Sequence, residues 1–254
     1  MEPFTVIALA IAAFAGAFVQ AATGFGFALI AAPAFLWLMS STAALQVLVA
    51  IHVVQSAMLA PRLLAFAPRR LLVWLTLGSL AGLPLGLWLF LSLDLRTLKL
   101  ALGVTMLVFA LLLVARERGL LDRLATAEPA DWERTPRLLV ALTGAAAGFL
   151  TAVLIMPGPP VILLAAWLAL PKLESRALSL TFFSFCYLVV TVMHAVSGTM
   201  TGTTWLLIAL LSPAVALGTF AGNRLAAGLS EQRFRYAVLA ITVFSGLAAL
   251  ASAI

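Results

Sequence analysis

The sequence predicts an all-α polytopic membrane protein of two inverted repeats, each with a broken or re-entrant helical segment and three transmembrane helices. Hydrophobic residues fill 64% of 254 positions and charged residues only 9%, against about 25% charged in a soluble domain. The apolar residues form long runs separated by short charged connections, as membrane spans and loops do. One long interrupted run followed by three ordinary runs occurs twice, which predicts the repeats.

The lengths of the apolar runs predict which of them are single helices. Six runs have the ~20-residue length of one membrane span, namely 43–61, 71–91, 98–115, 177–197, 204–223 and 234–254. The other two, 4–38 and 137–170, would each reach roughly 50 Å as one helix at ~1.5 Å per residue. Because the hydrocarbon core is only ~30 Å thick, both long runs are expected to be interrupted.

Helix-breaking residues lie near the middle of each long run. Glycine weakens a helix through backbone entropy, and proline removes an amide donor and clashes with the preceding turn. The first run contains Thr23-Gly24-Phe25-Gly26, and the second contains Pro157-Gly158-Pro159-Pro160. We therefore expect two helical pieces in each run, with the second pieces starting after Gly26 and after Pro160.

Glycine positions and a polar stretch define the repeats. The matched glycines are 16 with 148 and 26 with 158 at a shift of 132 residues, and 82 with 218 and 86 with 222 at a shift of 136 residues. The polar stretch 116–136 separates the halves, so the predicted units are a first membrane repeat at 1–115, a cytoplasmic linker at 116–136 and a second membrane repeat at 137–254. Pairs with the Gly-x3-Gly spacing allow close helix approach. We expect them to pack helices within one protomer, with a homodimer face as the alternative.

The distribution of Lys and Arg predicts the orientation of the chain. If each broken run crosses the membrane once, the basic residues split eight to seven between the two sides. If each broken run enters and returns, thirteen lie on one side and only Arg96 and Lys99 on the other. The positive-inside rule favours the second arrangement. This arrangement places both termini outside and inverts the second repeat relative to the first. A re-entrant hairpin and two short spans both return the chain to the side from which it entered, so the charge count leaves them as alternatives.

The charge pattern also excludes several classes of function. None of the acidic residues lies inside an apolar run, which argues against a cation substrate and against coupling through an intramembrane carboxylate. A basic, exposed, folded face for nucleic acid is lacking. Cys186 is the only cysteine, so an internal disulfide is excluded and neither a metal cluster nor a cysteine-based redox site is expected. No cofactor is expected either. Ser184 and His194 are about 15 Å apart by helix rise, which disfavours a hydrolytic pair.

The two breaks are the predicted binding site for a small solute. A broken helix exposes amide donors at the start of its second piece, and the aligned peptide dipoles add about half a positive charge there. Transporters with inverted repeats commonly bind their solutes at such broken helices near the bilayer midplane. The alternative is that Gly and Pro only kink the helices. The expected binding residues at the breaks are Gln20, Thr23, Gly24, Phe25, Gly26, Pro157, Gly158 and Pro159.

Polar side chains within the spans complete the predicted site. His52 and Gln55 lie three residues apart and therefore share a helix face. At a shift of 132 they align with Ser184 and Tyr187. An intramembrane His is a functional hypothesis by default, and the alternative is a neutral imidazole bonded to a helix carbonyl. If protons take part in transport, His52 is the best available group.

The chain resembles the TauE/SafE family of sulfite-exporter-like membrane proteins over nearly its whole length. The resemblance lies in the two-repeat layout and in Gly24-Phe25-Gly26 with its counterpart Gly158-Pro159-Pro160. It also lies in a small-residue stripe followed by a short charged turn, at Gly86 to Lys99 and again at Gly222 to Arg235. It implies export or uptake of small sulfur-containing or organic anions such as sulfite, sulfoacetate or other sulfonates.

These observations together predict a secondary carrier or facilitator and not an enzyme. Its partners would be a small organic or sulfur-containing anion and the lipid bilayer, and it would be a multi-pass protein of the cell (inner) membrane. The alternatives are a drug/metabolite-type inverted-repeat exporter of a neutral or cationic solute, a membrane-embedded enzyme and a non-transporting assembly factor. The last of these has no need for paired broken helices.

Overall fold

The chain folds as a set of helices with the lengths that the apolar runs predict. The computed structural model describes residues 2–118, 135–225 and 231–251, and the regular structure in those ranges is entirely helical. Seven of the described helices are long and apolar enough to cross a membrane. The all-α, multi-pass fold class is therefore confirmed. Most of the predicted linker 116–136 lies outside the described residues.

Ten α-helices follow one another in the described parts of the chain. The first half contains α1 (Pro3–Thr23), α2 (Phe27–Met39), α3 (Ala43–Leu63), α4 (Arg69–Ser92) and α5 (Leu95–Glu117), with a single 3₁₀ turn, Leu64–Phe66, after α3. The second half contains α6 (Arg137–Leu154), α7 (Gly158–Trp167), α8 (Lys172–Val196), α9 (Gly202–Leu225) and α10 (Glu231–Ala251). Both long runs are interrupted, between α1 and α2 and between α6 and α7, as predicted.

Several helices begin before the apolar run that marks them, because their first turn is polar. The α8 helix starts at Lys172, five residues ahead of the predicted run at 177. At α5, the Thr97 amide donates to Asp94 Oδ1 over 2.9 Å, which satisfies an amide of the first turn. Hydrogen bonds from Thr97 also hold the pKa of the exposed Asp94 carboxyl below its ordinary value, because they favour the ionised form.

Two glycine stripes join the halves by backbone-to-backbone packing. Gly82 lies so close to α6 that a Cβ built on it would be 1.9 Å from the carbonyl oxygen of Ala145. A Cβ on Gly222 would be 2.2 Å from the carbonyl oxygen of Phe18 on α1. Only glycine permits such contact. The glycine pairs therefore pack α4 on α6 and α9 on α1 within one protomer.

The core of the protein lies between α3 and α8, which pack against each other. Most of α3 is buried, including the polar side chains of Gln46, His52 and Gln55. Large apolar side chains such as Trp37, Trp88 and Leu138 are exposed on the outer helices. Since lipid replaces water around a spanning helix, an apolar exterior around a partly polar centre is the arrangement expected of a membrane bundle.

Candidate functional site

The first break is a glycine turn held in shape by polar side chains. Gly24 and Gly26 have φ values of 96° and 110°, in the left-handed region that favours glycine. Between them, the Phe25 amide donates to Thr23 Oγ1 over 3.3 Å, and this hydroxyl in turn donates to the Phe25 carbonyl over 2.6 Å. Gln20 Oε1 accepts from the Phe27 amide over 3.3 Å. Thr23 and Gln20 thus shape and cap the turn into α2.

The second break is built differently and contains a strained residue. Ile155 is buried with a φ of 59°, which is a rare conformation for a β-branched side chain. Its amide donates to the Thr151 carbonyl over 2.9 Å, and the Met156 amide donates to the Leu150 carbonyl over 3.2 Å. These two hydrogen bonds satisfy carbonyl groups in the last turn of α6. Strain in a non-glycine residue is often found at functional sites.

The start of α7 corrects one sequence prediction. The helix begins at Gly158 and not after Pro160, so Pro159 and Pro160 lie inside its first turn. Proline is tolerated there because the first amides of a helix have no partner within it. The unwound segment is therefore Ile155 to Pro157.

This placement makes the two helix starts unequal as donors. A helix leaves the amides of its N-cap residue and of its first three residues without intrahelical partners. At α7 these four residues are Pro157, Gly158, Pro159 and Pro160, so only Gly158 has an N–H to offer. At α2 the corresponding residues all have one, and Gln20 caps that of Phe27. The amides of Gly26, Ala28 and Leu29 remain for a ligand.

The two breaks meet around one small cavity. A Cβ built on Gly158 would lie 3.9 Å from Phe25 Cβ, which brings the second break into contact with the first. The cavity has a volume of about 20 Å³, enough for about one water molecule. Its lining includes seven of the predicted site residues, Gln20, Phe25, Gly26, Pro157, Gly158, Pro159 and Tyr187, together with Ala28, Leu29, Phe109, Ile155, Met156 and Phe183.

His52 and Tyr187 form a buried aromatic stack beside this cavity. The His52 ring lies between Phe27, at a centroid distance of 3.8 Å, and Tyr187, at 4.3 Å. Its Nδ1 is 2.6 Å from the Leu48 carbonyl oxygen, and its Nε2 is buried without a hydrogen-bond partner. The Tyr187 and Gln20 side chains both line the cavity. Through Tyr187, His52 contacts the cavity lining without lining the cavity itself.

The remaining predicted residues do not line the cavity. Gln55 Nε2 donates to the Ala17 carbonyl over 2.8 Å, which ties α3 to α1, and Gln55 Oε1 is buried without a partner. Ser184 is half-buried, and its hydroxyl donates to the Leu180 carbonyl of its own helix over 2.6 Å. Thr23 and Gly24 shape the first break and do not appear in the cavity lining.

Sequence reasoning missed Arg176, a half-buried cation at the first break. Its guanidinium donates to the Ala21 carbonyl at the end of α1 and to Asn223 Oδ1 on α9. A Cβ on Gly24 would lie 3.1 Å from Arg176 Cγ. Hydropathy alone starts the apolar run at 177 and so leaves Arg176 outside the span. Since it lies in the second turn of α8 and contacts the last turn of α9, the first break is nearer one end of these spans than their midplane.

The described residues contain no group of three or more His, Cys, Asp or Glu side chains that could hold a metal ion. The polar groups around the cavity are instead amides, one carboxamide and one phenol. Such groups bind and orient a solute but provide no activated nucleophile with a base. The geometry therefore favours binding over covalent chemistry.

Comparison with known proteins agrees with this geometry. The profile of the sulfite exporter TauE/SafE family matches residues 8–249. No curated protein and no solved structure matches the chain. The family consists of membrane transporters and not of enzymes, and the match covers both halves and both breaks. The chain belongs to the sulfite exporter TauE/SafE family.

Proposed function

We propose that the protein is a secondary carrier or facilitator that binds a small organic or sulfur-containing anion, such as a sulfonate or sulfite, between the two breaks. The observation that carries this proposal is the cavity where Gly26 and Gly158 meet. The first-turn amides of α2 face this region with the positive end of the helix dipole behind them. A sulfonate offers several oxygens to such donors.

The charges near the cavity favour an anion over a cation. The described lining residues include no acidic side chain, so a cation would have no counter-charge there. Gln20 and Tyr187 supply side-chain polar groups that suit oxyanion oxygens. Because Pro157, Pro159 and Pro160 remove amides from α7, most of the donors come from α2. We therefore place the anion at the α2 side of the cavity, with Gly158 as the contribution of the second half.

The small cavity volume indicates a closed state of the transport cycle. A cavity of about 20 Å³ cannot hold a sulfonate, which is several times larger than a water molecule. Binding therefore requires the two halves to move apart. We propose that one repeat rocks against the other to open the site to each side in turn, as in other carriers with inverted repeats.

The directions of the packed helices support an inverted arrangement. Gly78, Gly82 and Gly86 meet residues at 141, 145 and 149 in the same order, so α4 runs parallel to α6. If each connection reverses direction, α4 is antiparallel to α1, and α6 is then antiparallel to α1 as well.

With the positive-inside orientation in the inner membrane, Arg96 faces outside. Labelling of a cysteine at Arg96 from outside intact cells tests this orientation.

A flux screen with purified protein in liposomes tests the proposed function. The solutes are radiolabelled methanesulfonate, sulfoacetate and sulfite, with tetramethylammonium as a cation of similar size. We expect uptake of at least one anion above protein-free liposomes and no uptake of the cation. Uptake of the cation without any of the anions would overturn the proposal and favour an exporter of cationic solutes.

A further inference from the structure

His52 is a buried ionisable residue beside the site, and one of its two ring nitrogens has no hydrogen-bond partner within the fold. His52 is fully buried, and a carbonyl oxygen can only accept a hydrogen bond. The contact of 2.6 Å with the Leu48 carbonyl therefore places a proton on Nδ1. Nε2 is then a bare acceptor, and it has no donor. Buried polar atoms usually find partners, so this free lone pair calls for an explanation.

We propose that His52 carries one proton together with each anion, so that the protein is a proton–anion symporter. This inference rests on the proposed function, since the anion is the counter-charge of the protonated ring. Proton uptake at Nε2 converts an unpartnered acceptor into a donor. Gln55 Oε1, three residues later on the same face of α3, is an unpartnered buried acceptor available to that new N–H.

In the described helices that pack against α3, the acidic side chain Glu174 lies roughly 20 Å along α8 from Tyr187 by helix rise, so no fixed carboxylate neighbours His52 there. The helices packed against α3 are α1, α2, α8 and α9. Neither α1 nor α2 has a titratable side chain, and on α9 only Arg224, in the last turn, has one. The Tyr187 phenol of α8 contacts the ring. The other titratable residues of α8 are Lys172, Glu174 and Arg176 in its first two turns, with Cys186 and His194 nearer its end.

This absence of a fixed carboxylate explains how coupling would arise. A buried imidazolium is costly without a nearby negative charge. Tyr187 lines the cavity and contacts the His52 ring at 4.3 Å between centroids, so an anion in the cavity would lie one side chain away from His52. Each ligand therefore raises the affinity for the other, as reciprocal linkage requires. The loaded site would be electrically neutral for a monovalent sulfonate.

The experiment uses methanesulfonate, which remains ionised over the working pH range and so cannot itself carry the proton. Liposomes with an internal pH-sensitive dye are compared with and without a potassium diffusion potential. For the wild type, we expect internal acidification that accompanies methanesulfonate entry with about one proton per anion, and an entry rate that does not depend on membrane potential.

His52→Gln is the test variant, and His194→Gln is its control. His194 is also buried and has no hydrogen-bond partner on either ring nitrogen, but it packs against Phe90 and lies outside the cavity. We expect His52→Gln to move methanesulfonate without protons and to become faster at inside-positive potential. His194→Gln should behave as the wild type. If His52→Gln has no net uptake, retained exchange of labelled for unlabelled methanesulfonate is expected.

Three results would overturn the inference. The first is wild-type methanesulfonate entry that causes no acidification and responds to potential, which leaves the proposed function intact. The second is a His52→Gln variant with wild-type acidification. The third is a His52→Gln variant that loses both uptake and exchange. Failure of the wild type to move any sulfonate or sulfite is a distinct result, which rejects the proposed function as well.

Discussion

Gly82→Ala is expected to cause a large loss of folded protein, although it adds a single methyl group. The new Cβ would lie 1.9 Å from the carbonyl oxygen of Ala145 and 2.8 Å from the Phe149 amide nitrogen. Both are backbone atoms, so no side chain can rotate away, and α4 must move off α6. We expect destabilisation at or above the ~1–3 kcal/mol typical of overpacked cores. Gly222→Ala should do the same to the contact of α9 with α1.

The control for this prediction is Gly202→Ala, because a Cβ at Gly202 meets no atom within 4 Å. Thermal melting of detergent-purified protein, followed by size-exclusion chromatography, measures the difference. Alanine favours helix over glycine by ~1 kcal/mol, so helix propensity alone predicts stabilisation of Gly82→Ala. A melting temperature for Gly82→Ala equal to or higher than that for Gly202→Ala would show that α4 and α6 are not closely packed at Gly82.

Gly158→Leu is expected to remove most of the transport activity. A Cβ at this position meets only ordinary contacts, with Ile162 Cδ1 at 3.5 Å, Phe25 Cβ at 3.9 Å and Phe183 Cζ at 4.0 Å. The rest of a leucine side chain must then enter the space between the breaks. We expect flux of the transported anion to fall by about tenfold or more, equivalent to at least ~1.4 kcal/mol.

Gly158→Ala is the control that distinguishes loss of flux through a filled site from loss of flux through a disrupted helix. Alanine adds the tolerated Cβ without the extra carbons, so we expect near-normal melting and a flux much closer to the wild type. Both variants keep the Gly158 amide and the proline pattern around it. A Gly158→Leu protein that transports at the wild-type rate would show that the break is only a kink and that the solute passes elsewhere.

The arrangement of helices could be predicted because it depends on length and composition. Runs of about 20 apolar residues predict spans, and the breakers at Gly24-Phe25-Gly26 and around Pro157 lie where the helices end. The glycine spacing also predicted close packing. It could not identify the partner helix, since the pairing of α4 with α6 depends on contacts between residues about 60 positions apart.

The details of the site were less accessible to sequence reasoning. The backbone strain at Ile155 accompanies the hydrogen bonds of Ile155 and Met156 to the last carbonyls of α6. Isoleucine is unfavourable in the left-handed conformation, so its presence in the sequence does not predict that conformation. Reading proline as a helix breaker predicts that α7 starts after Pro160, whereas proline is tolerated in a first helical turn and α7 starts at Gly158. Ser184 was assigned to the site by repeat alignment, but its hydroxyl bonds to its own helix.

Arg176 shows a general weakness of hydropathy in locating helix ends. A charged first turn lowers the local average, so the predicted span begins after it. Here the helix includes Lys172 to Arg176, and the guanidinium reaches the carbonyl end of α1. A positive side chain at a helix carboxyl terminus is favourable. A break leaves the last carbonyl groups of the first helical piece without intrahelical partners. Those carbonyls were the available signal, in the sequence, for a cation near the break.

The central claim is that an anion binds where the two interrupted helices meet, and a cryo-electron microscopy map with saturating methanesulfonate tests it most directly. We predict density for the sulfonate beside Gly158, with its oxygens within hydrogen-bonding distance of the amides of Gly26 and Ala28, and a cavity wider than the one described. A map with the sulfonate bound elsewhere, or with residues 20–30 or 154–162 as continuous helix facing lipid, would contradict this account.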